Sequence, residues 1–450
     1  MGVSATSFIA RLDAVPLNAF HRRLLVVSGL GWMFDAMDVI LVAFIVAPVR
    51  DDFHLGAALV PWIASAGFIG MFLGAAVSGR LADRYGRRTV FQATLVLFSI
   101  GSLLTTLAPT FETFVAARIV AGLGLGGELP VASTLVSELS PSSKRGRMIV
   151  LLESFWAYGT ILAGLIAIFV IPAFGWRGAT FVGCLPALYV AYLRRALPES
   201  PRYLAAKGLT SEADAVVRRV ERAGGAPLIT VARAIAPLPS PKVGLADLWS
   251  RAFAKRTLML WLLWAGITFT YYGVFTYLPS LLAARGLTEV RSNEFFFVST
   301  IAQVPGYFSA AWLVDRWGRK ATLVVYLAGT AAAAFLFGNA GTGTLAFTWA
   351  ALLSFFNLGA WGVVYTYTPE SYPTAIRGGG SGAAAAIGRA FGILAPFAVP
   401  LLVPSLGQGG VFAAFTGLVL LTAIVVLALA EETKGRSLEE LGEQRVATIS

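Results

Sequence analysis

Charged residues are scarce in this chain of 450 residues, and so are the side chains on which many enzyme sites depend. Asp, Glu, Lys and Arg make up 13% of the sequence, whereas soluble domains carry about 25%. The one cysteine, Cys184, excludes an internal disulfide, and His21 and His54 lack the spacing of a metal site. No Gly-x-x-x-x-Gly-Lys-Ser/Thr pattern is present, which argues against an ATP-driven pump. The sequence contains no combination of nucleophile and base that would predict an enzyme, and we expect no cofactor.

Long apolar runs take the place of these features. Hydrophobic residues make up 57% of the chain, and stretches such as 149–174 and 258–284 hold few charges. A bilayer core about 30 Å thick takes roughly 20 apolar residues per helix, and backbone groups in lipid must pair within their own segment. The runs also lack the alternation of barrel strands. The sequence predicts an all-α membrane protein with twelve spans, at about 23–49, 58–80, 89–108, 111–136, 148–172, 176–196, 257–283, 293–315, 320–340, 343–369, 380–404 and 408–430.

The formal net charge of +11 follows this topology. Basic clusters follow the second, fourth and eighth spans and fill the segment between the sixth and seventh, whereas the loops on the other side hold only Arg50, Arg177, Arg285 and Arg291. By the positive-inside rule, the basic loops and both termini are cytoplasmic. The charge is therefore a sign of topology and predicts no nucleic-acid partner. The polar start of the chain fits an uncleaved insertion signal in a bacterial inner membrane.

An internal repeat divides the chain. The Asp-Arg-aromatic-Gly-Arg-basic segment at 83–88 recurs at 315–320, an offset of 232 positions, and the same offset relates Glu138 to Glu370, Arg145 to Arg377 and Glu199 to Glu431. This spacing predicts two six-helix halves related by a pseudo-twofold axis along the membrane normal. We expect an N-terminal half at 1–196, a cytoplasmic linker with a short helix at 197–256, a C-terminal half at 257–430 and a cytoplasmic tail at 431–450.

These motifs resemble those of the major facilitator superfamily over the whole chain. Segment 79–88 (GRLADRYGRR) resembles its signature loop and 118–127 (RIVAGLGLGG) its fourth-span motif. Segments 198–202 (PESPR) and 431–435 (EETKG) are similar to the half-ending motifs of its sugar-porter-related branch. Within the superfamily, FDAMD at 34–38 and GELP at 127–130 resemble niacin transporters and synaptic-vesicle-like proteins, and the paired aspartates also resemble aromatic-acid/proton symporters.

A glycine pattern in span four has two interpretations. Gly122-x-Gly124-x-x-Gly127 formally matches a dinucleotide fingerprint, but that motif needs a preceding strand within a βαβ unit. Here the glycines lie inside an apolar span, where small residues allow close helix packing. We interpret Gly70 and Gly74 of span two, and Gly159 of span five, in the same way.

Ionisable residues inside spans are costly and usually face a cavity, so they are functional candidates. Asp35 and Asp38 lie three residues apart in span one, hence on nearly one helix face. In the family pattern, Asp38 takes the position of the proton carboxylate of sugar porters and Arg118 that of its arginine partner. The resemblance thus implies proton coupling at Asp38 and Arg118, with Asp35 as a second candidate. A static charge pair that fixes helix packing is the alternative.

Arg389 has no acidic neighbour in span eleven. Because a guanidinium can bind a carboxylate through two hydrogen bonds, we predict that it binds an anionic substrate. The alternative is a charge pair across the halves with Glu128 or Glu153, which are themselves candidates for substrate contact or for a polar network. Further candidates for substrate binding are side chains inside spans that could stack on a flat ring or form hydrogen bonds, namely Trp32, Tyr272, Phe275, Gln303, Trp361 and Tyr365.

The charged loops of the repeat have a gating role in the resembling family, where they stabilise the outward-facing state. The alternative is a basic loop that only sets topology. Asp315 with Arg319 is expected to be the counterpart of the Asp83 loop, although Trp312 stands where Arg80 would recur. The predicted gating residues are Asp83, Arg87, Glu138, Arg145, Asp315, Arg319, Glu370 and Arg377.

The sequence as a whole predicts a secondary active transporter that takes up a small carboxylated aromatic metabolite, with nicotinate first, together with a proton. We expect a monomer in a lipid bilayer. A sugar/proton symporter would share the half-ending motifs but needs more Asn and Gln in its spans. An exporter would share the fold with a looser apolar cavity. A sensor or scaffold without transport has no need of Asp38 and Arg118.

Overall fold

The computed structural model describes residues 5–141, 144–224, 248–251, 253–283, 289–372 and 376–434. The α-helices in these ranges are α1 (Ala5–Ala14), α2 (Ala19–Asp52), α3 (Trp62–Tyr85), α4 (Arg87–Thr106), α5 (Phe111–Leu139), α6 (Arg145–Glu153), α7 (Phe155–Phe169), α8 (Ile171–Val182), α9 (Pro186–Ala196), α10 (Pro201–Ala206), α11 (Thr210–Ala223), α12 (Ala254–Ala283), α13 (Glu289–Ile301), α14 (Gln303–Trp317), α15 (Arg319–Gly338), α16 (Gly343–Glu370) and α17 (Arg377–Leu429).

Ten helical stretches of the described residues are long and apolar enough to cross a membrane. The sequence predicted twelve spans, and two breaks in the helices account for the difference. The backbone of α17 leaves the helical region at Gly407 (φ 64°), which separates spans eleven and twelve. Span six is divided into α8 and α9 by a turn at 183–185, so each piece is shorter than a full span.

The sequence repeat is also a repeat of backbone geometry. Gly86 joins α3 to α4 with φ 98°, and Gly318 joins α14 to α15 with φ 89°. Only glycine adopts such a conformation readily, so the tight corner recurs where the glycine recurs. Thr110 and Thr342, again 232 positions apart, cap α5 and α16 through their side chains. The offset of 232 positions therefore relates helix starts and helix corners of the two halves, as well as sequence motifs.

The glycines of α3 and α5 let the two helices approach to backbone contact. A Cβ atom added to Gly122 would lie 2.1 Å from the Gly67 carbonyl oxygen, and one on Gly126 would lie 2.0 Å from that of Met71. From the other side, Gly70 faces the Ile119 carbonyl at 2.1 Å. Close packing is confirmed as the interpretation of the span-four glycines. Gly159 packs instead against α2, where its Cβ would lie 2.2 Å from the Met33 oxygen.

Short helices on the side of the basic loops connect the chain start to the linker. Arg11 of α1 donates two hydrogen bonds to the buried Glu221 of α11, each 2.8 Å long. A third bond runs from Arg11 to Asp214 at 2.5 Å. Two short helices, α10 and α11, thus lie in the predicted linker. Residues 225–247 of that linker and 435–450 of the predicted tail lie outside the described residues.

Candidate functional site

A cavity of about 50 Å³ lies where helices of the first half face helices of the second. Trp32, Phe68, Glu153 and Trp156 line it from α2, α3, α6 and α7. The facing wall comes from α12, α14, α16 and α17 and includes Trp264, Tyr272, Tyr307, Trp361, Tyr365 and Arg389. At this volume, binding of an aromatic ring requires the lining side chains to move apart.

The Arg389 guanidinium is the cationic group of this cavity. The side chain is partly exposed to the cavity, its Nε atom is buried, and no described residue forms a hydrogen bond or ion pair with it. The predicted alternative of a pair with Glu128 or Glu153 is therefore not formed in the described part of the chain. An unpaired guanidinium in a low-dielectric cavity is a strong binding site for a carboxylate.

Other hydrogen-bonding groups of the cavity also lack partners. The indole nitrogens of Trp32 and Trp361 and the Thr268 hydroxyl form no hydrogen bond with described residues. Glu153 is 1% exposed, and the Trp32 indole lies beside its carboxylate. Buried polar groups are usually satisfied by hydrogen bonds. The free donors of Trp361 and Thr268, together with the Glu153 carboxyl group beside Trp32, indicate a small polar ligand.

Aromatic rings form both walls of the cavity. Trp361 and Tyr365, one turn apart on α16, have ring centroids 5.7 Å apart and an interplanar angle of 31°. Trp264 packs edge-on against both, at 5.5 Å and 5.2 Å. Phe68 of the first half meets Tyr272 of the second at 4.3 Å. Such a surface favours a flat ring, because aromatic groups stack or meet edge to face.

Six of the nine residues predicted for substrate binding line this cavity, namely Trp32, Glu153, Tyr272, Trp361, Tyr365 and Arg389. The other three are buried elsewhere. Phe275 packs between Tyr271 and Phe296. Gln303 is fully buried within the second half, where neither of its polar side-chain atoms has a partner among the described residues. Glu128 lies against α2, away from the cavity.

Several residues that the fold brings into the cavity were not among the predicted substrate contacts. Trp264, Thr268 and Tyr271 lie with Tyr272 along α12 at spacings of four, three and one residues. Residues at these spacings share one face of a helix. The sequence pattern could therefore have predicted that they line the cavity together. Phe68, Trp156 and Tyr307 are aromatic residues in apolar spans, and nothing in the sequence separates them from packing residues.

Asp38 and Arg118 form the predicted ion pair. Nη1 of Arg118 donates to Oδ1 of Asp38 at 3.0 Å, and Nη2 lies 2.9 Å from Oδ2. Both residues are 2% exposed. The pair joins α2 to α5, which run antiparallel, since Phe53 meets Phe111 at one end and His21 bonds to the Leu139 carbonyl at the other.

Asp35 lies one helix turn from Asp38 and has a different partner. It is fully buried, and its carboxyl group is within hydrogen-bonding reach of that of Glu128 on α5, which is also fully buried. None of the four carboxyl oxygens accepts a hydrogen bond from a described donor. The Glu128 carboxyl rests against Gly31, where an added Cβ would lie 2.2 Å from Oε1.

The predicted gating residues of the first half form one network beside the α3–α4 corner. Arg87 bonds to Asp83 at 2.8 Å, and its Nε lies 3.5 Å from Glu138. Ser200 donates a hydrogen bond to Glu138, and Glu199 accepts from the backbone nitrogen of Arg87 at 2.9 Å. Arg145 acts on Glu138 through its charge, while its Nε donates to the Ser137 carbonyl at 3.0 Å.

The second half repeats this network with two corrections. Arg319 forms its ion pair with Glu370 through two 2.8 Å bonds and not with Asp315, which only adds to the negative field around it. Glu432, not Glu431, is the counterpart of Glu199, because it accepts from the backbone nitrogens of Arg319 and Lys320.

The repeat offset had predicted that Glu431 occupies the position equivalent to Glu199. This correspondence is wrong by one position. Glu431 instead binds Arg256. Thr433 donates to Glu370 at 2.7 Å, as Ser200 does to Glu138, so the shift of one residue holds along the motif. The Arg377 side chain lies outside the described part of the chain.

Comparison with known proteins agrees with this architecture. The chain is 49% identical over 435 residues to the niacin transporter NiaP of Acinetobacter baylyi, covering 96% of this chain and 99% of that protein. It is 45% identical to the putative niacin/nicotinamide transporter NiaP of Bacillus subtilis, covering 93% and 98%. The xylose transporter XylE from E. coli, in a partially occluded inward open conformation, superposes with a TM-score of 0.76 at 19% identity, covering 93% of this chain and 100% of that one.

These matches confirm the predicted fold. XylE is described as a major facilitator superfamily protein, so its likeness to this chain confirms a membrane transporter fold of two helical halves. Residues 39–444, most of the chain, match one family of transporters. The chain belongs to the family described as sugar (and other) transporter.

Proposed function

We propose that this protein takes up nicotinate, together with a proton, by alternating access across a bacterial inner membrane. The relatives that share 49% and 45% of its residues over nearly their whole length carry niacin in their names. In this proposal the protein acts as a monomer. The distribution of basic loops supports a cytoplasmic position for both termini.

The observation that carries this proposal is the unpaired Arg389 in a cavity with aromatic walls. Nicotinate is a flat ring bearing a carboxylate, so the guanidinium binds the carboxylate while Trp361 and Tyr365 hold the ring. Trp32, Trp361 and Thr268 supply further hydrogen-bond donors. Glu153, on the opposite wall, binds the ring nitrogen in its protonated form, in which the carboxyl O–H donates and the nitrogen accepts.

A sugar is a poorer match to the same surface. Sugars present several hydroxyl groups that need both donors and acceptors, and amide side chains serve both needs. The cavity lining holds neither Asn nor Gln in the described part of the chain. Its polar groups are instead a cation, a carboxylate, indoles and hydroxyls, which favour a small anion with a ring.

Alternating access requires that the halves separate on one side while they meet on the other. On the side away from the basic loops, α3 meets α17: the Ser65 hydroxyl donates to the Ile393 carbonyl at 2.8 Å, and Trp62 packs on Phe397 at 5.7 Å. We infer that these contacts close the extracellular side. The networks at Arg87 and Arg319 act as the cytoplasmic gate in this proposal, because each fixes the helix corner of its own half on the side of the basic loops.

Asp38 and Arg118 couple the proton in this proposal. While the pair is intact, its two charges neutralise each other between α2 and α5. Protonation of Asp38 removes one charge, weakens the link between the helices and so ties proton binding to a movement of α5 against α2.

The test is uptake of labelled nicotinate into proteoliposomes of the purified protein, with and without an inward proton gradient. We expect uptake that the gradient stimulates and that Arg389→Gln abolishes. Uptake indifferent to the gradient would keep the substrate and reject the proton. No uptake by folded protein, as judged by its thermal unfolding, would reject nicotinate, and a panel of benzoates, sugars and organic cations would follow.

A further inference from the structure

The Asp35 and Glu128 carboxyl groups face each other in a region with no cation bound to either. Both residues are fully buried, and none of their four oxygens has a donor among the described residues. Two carboxylates in contact in a low-dielectric interior cannot both be ionised. A proton between them removes the repulsion between the two negative charges and supplies the missing hydrogen bond. The geometry therefore favours a pair that holds at least one proton.

Each charged or titratable group that the structure describes near the pair has a definable effect on it. Asp38 follows on α2, but Arg118 neutralises it. Tyr189 approaches Glu128 from α9 and donates its own hydroxyl to the Val27 carbonyl at 2.9 Å. Arg389 on α17 acts on Asp35 through its charge without contact. Among the described residues, the cation that acts on the pair without a neutralising partner is therefore Arg389, which faces the cavity.

We propose that the Asp35–Glu128 pair is a second proton-binding site, and that Arg389 couples it to the substrate anion. This inference rests on the proposed uptake of nicotinate. With the cavity empty, the positive charge of Arg389 stabilises a pair that shares one proton and carries one negative charge. When a substrate carboxylate binds Arg389, that stabilisation is withdrawn. The negative oxygen then takes a second proton from a hydronium ion: an O–H bond of hydronium breaks and leaves water, a carboxyl O–H bond forms, and the pair becomes neutral.

The cycle closes by the same electrostatics. When the substrate leaves, the guanidinium charge is again unscreened, and the second proton is released. By thermodynamic linkage, protonation of the pair must raise the affinity for the anion by the factor by which the anion raises the affinity for the proton. Because α2 and α5 are antiparallel, this site lies closer to the basic loops than the Asp38–Arg118 pair does.

The shared proton can be tested without any substrate. Infrared spectroscopy of the ligand-free protein reports the C=O stretch of protonated carboxylic acids, which strong hydrogen bonding lowers. We expect one such lowered band, which Asp35→Asn and Glu128→Gln each remove and Glu153→Gln leaves in place. Gly31→Ala keeps both carboxyl groups but pushes Glu128 aside, so it should shift the band. A spectrum unchanged by the first two substitutions would overturn the shared proton.

The coupling to substrate is tested by calorimetry of nicotinate binding in two buffers of different ionisation enthalpy. We expect the wild type to take up close to one proton for each nicotinate bound, and Asp35→Asn and Glu128→Gln to lose this uptake. Uptake lost only in Asp38→Asn would overturn the proposal and assign the proton to the other pair. Absence of nicotinate binding would reject the proposed function, while the infrared measurement still decides the pair.

Discussion

Arg118 and Asp38 join α5 to α2 through a buried ion pair, with Nη1 to Oδ1 at 3.0 Å and Nη2 to Oδ2 at 2.9 Å. Taking two charges out of water is costly, so such a pair contributes little net stability compared with apolar residues. Removing one partner is different, because about 3–5 kcal/mol is lost when the other charge stays buried alone. Neutralising Asp38 therefore leaves the Arg118 guanidinium buried without a counter-charge.

Asp38→Asn should abolish net uptake driven by a proton gradient, because the pair can no longer alternate between ionised and protonated forms. Exchange of labelled for unlabelled nicotinate should persist, since exchange requires no release of the proton. Uptake and exchange measured in the same proteoliposomes separate the two steps. Gradient-driven uptake at the wild-type rate would remove Asp38 from the coupling mechanism.

The double variant Asp38→Asn/Arg118→Gln is the control for that experiment. It removes the unpaired buried cation, so its thermal unfolding temperature should recover towards that of the wild type, while gradient-driven uptake stays lost. Recovery of both properties would show that the loss in Asp38→Asn came from instability alone.

Arg389→Gln should weaken nicotinate binding by roughly 30-fold or more, since breaking a charge pair of this kind costs about 2–5 kcal/mol. Nicotinamide, which has the same ring without the negative charge, should be affected far less. Arg389→Lys keeps the charge but not the planar fork of the guanidinium. Its affinity for nicotinate should therefore fall between that of the wild type and that of Arg389→Gln. Competition of each compound with labelled nicotinate measures all three affinities.

The matched control for Arg389 is Arg177→Gln. Arg177 is 42% exposed in its side chain and pairs with the surface residue Asp52, far from the cavity. Exposed pairs contribute little, so nicotinate affinity should remain that of the wild type. An equal loss of affinity in both variants would mean that Arg389 acts on the overall charge of the protein and not on the substrate.

The spans and the repeat could be predicted from the sequence because both depend on local rules. A run of apolar residues must form a helix in lipid whatever surrounds it. The corner between α3 and α4 requires a positive φ angle at Gly86, and the equivalent corner of the second half requires one at Gly318. The shift from Glu431 to Glu432 escaped prediction for a physical reason. A carboxylate that caps a helix is fixed by its distance to backbone nitrogens, and adjacent glutamates are equivalent in sequence.

The candidate site was less predictable, because it depends on which helix faces meet. Arg389 was found because a lone cation in an apolar span is conspicuous. Glu128 was a candidate for substrate contact or for a polar network on the same grounds, and it faces Asp35, since Gly31 leaves space for its carboxyl group. Gln303 and Phe275 are indistinguishable from cavity residues until the rotation of each helix is known.

Gly74→Ala should destabilise the first half, because its new Cβ would lie 2.2 Å from the Leu123 carbonyl oxygen of α5. Overpacking of this kind costs about 1–3 kcal/mol. Gly79→Ala on the same helix meets nothing within 4 Å and should leave stability unchanged or slightly improved. Thermal unfolding of the two variants in detergent compares them directly. Equal stability would contradict backbone contact between α3 and α5.

Arg11→Ala should release α1 from α11, because it leaves the buried Glu221 carboxylate without its two 2.8 Å bonds. Hydrogen–deuterium exchange of residues 210–223 should become faster by at least tenfold, given the roughly 3–5 kcal/mol cost of an uncompensated buried charge. Arg218→Ala is the control, since its side chain is 52% exposed and its pair with Asp214 should matter little.

The same cluster should loosen in acid. Burial raises the pKa of Asp214, but the hydrogen bond and charge of Arg11, together with Arg218, outweigh burial and hold that pKa below its usual value. A carboxyl group with a lowered pKa stabilises the folded form above its unfolded pKa, and this contribution is lost as the pH falls through the folded pKa. Exchange in α11, corrected for the intrinsic effect of pH, should therefore accelerate below about pH 4, and Asp214→Asn should remove this acceleration while already exchanging faster at neutral pH. An acid response that persists in Asp214→Asn would place the titrating group elsewhere.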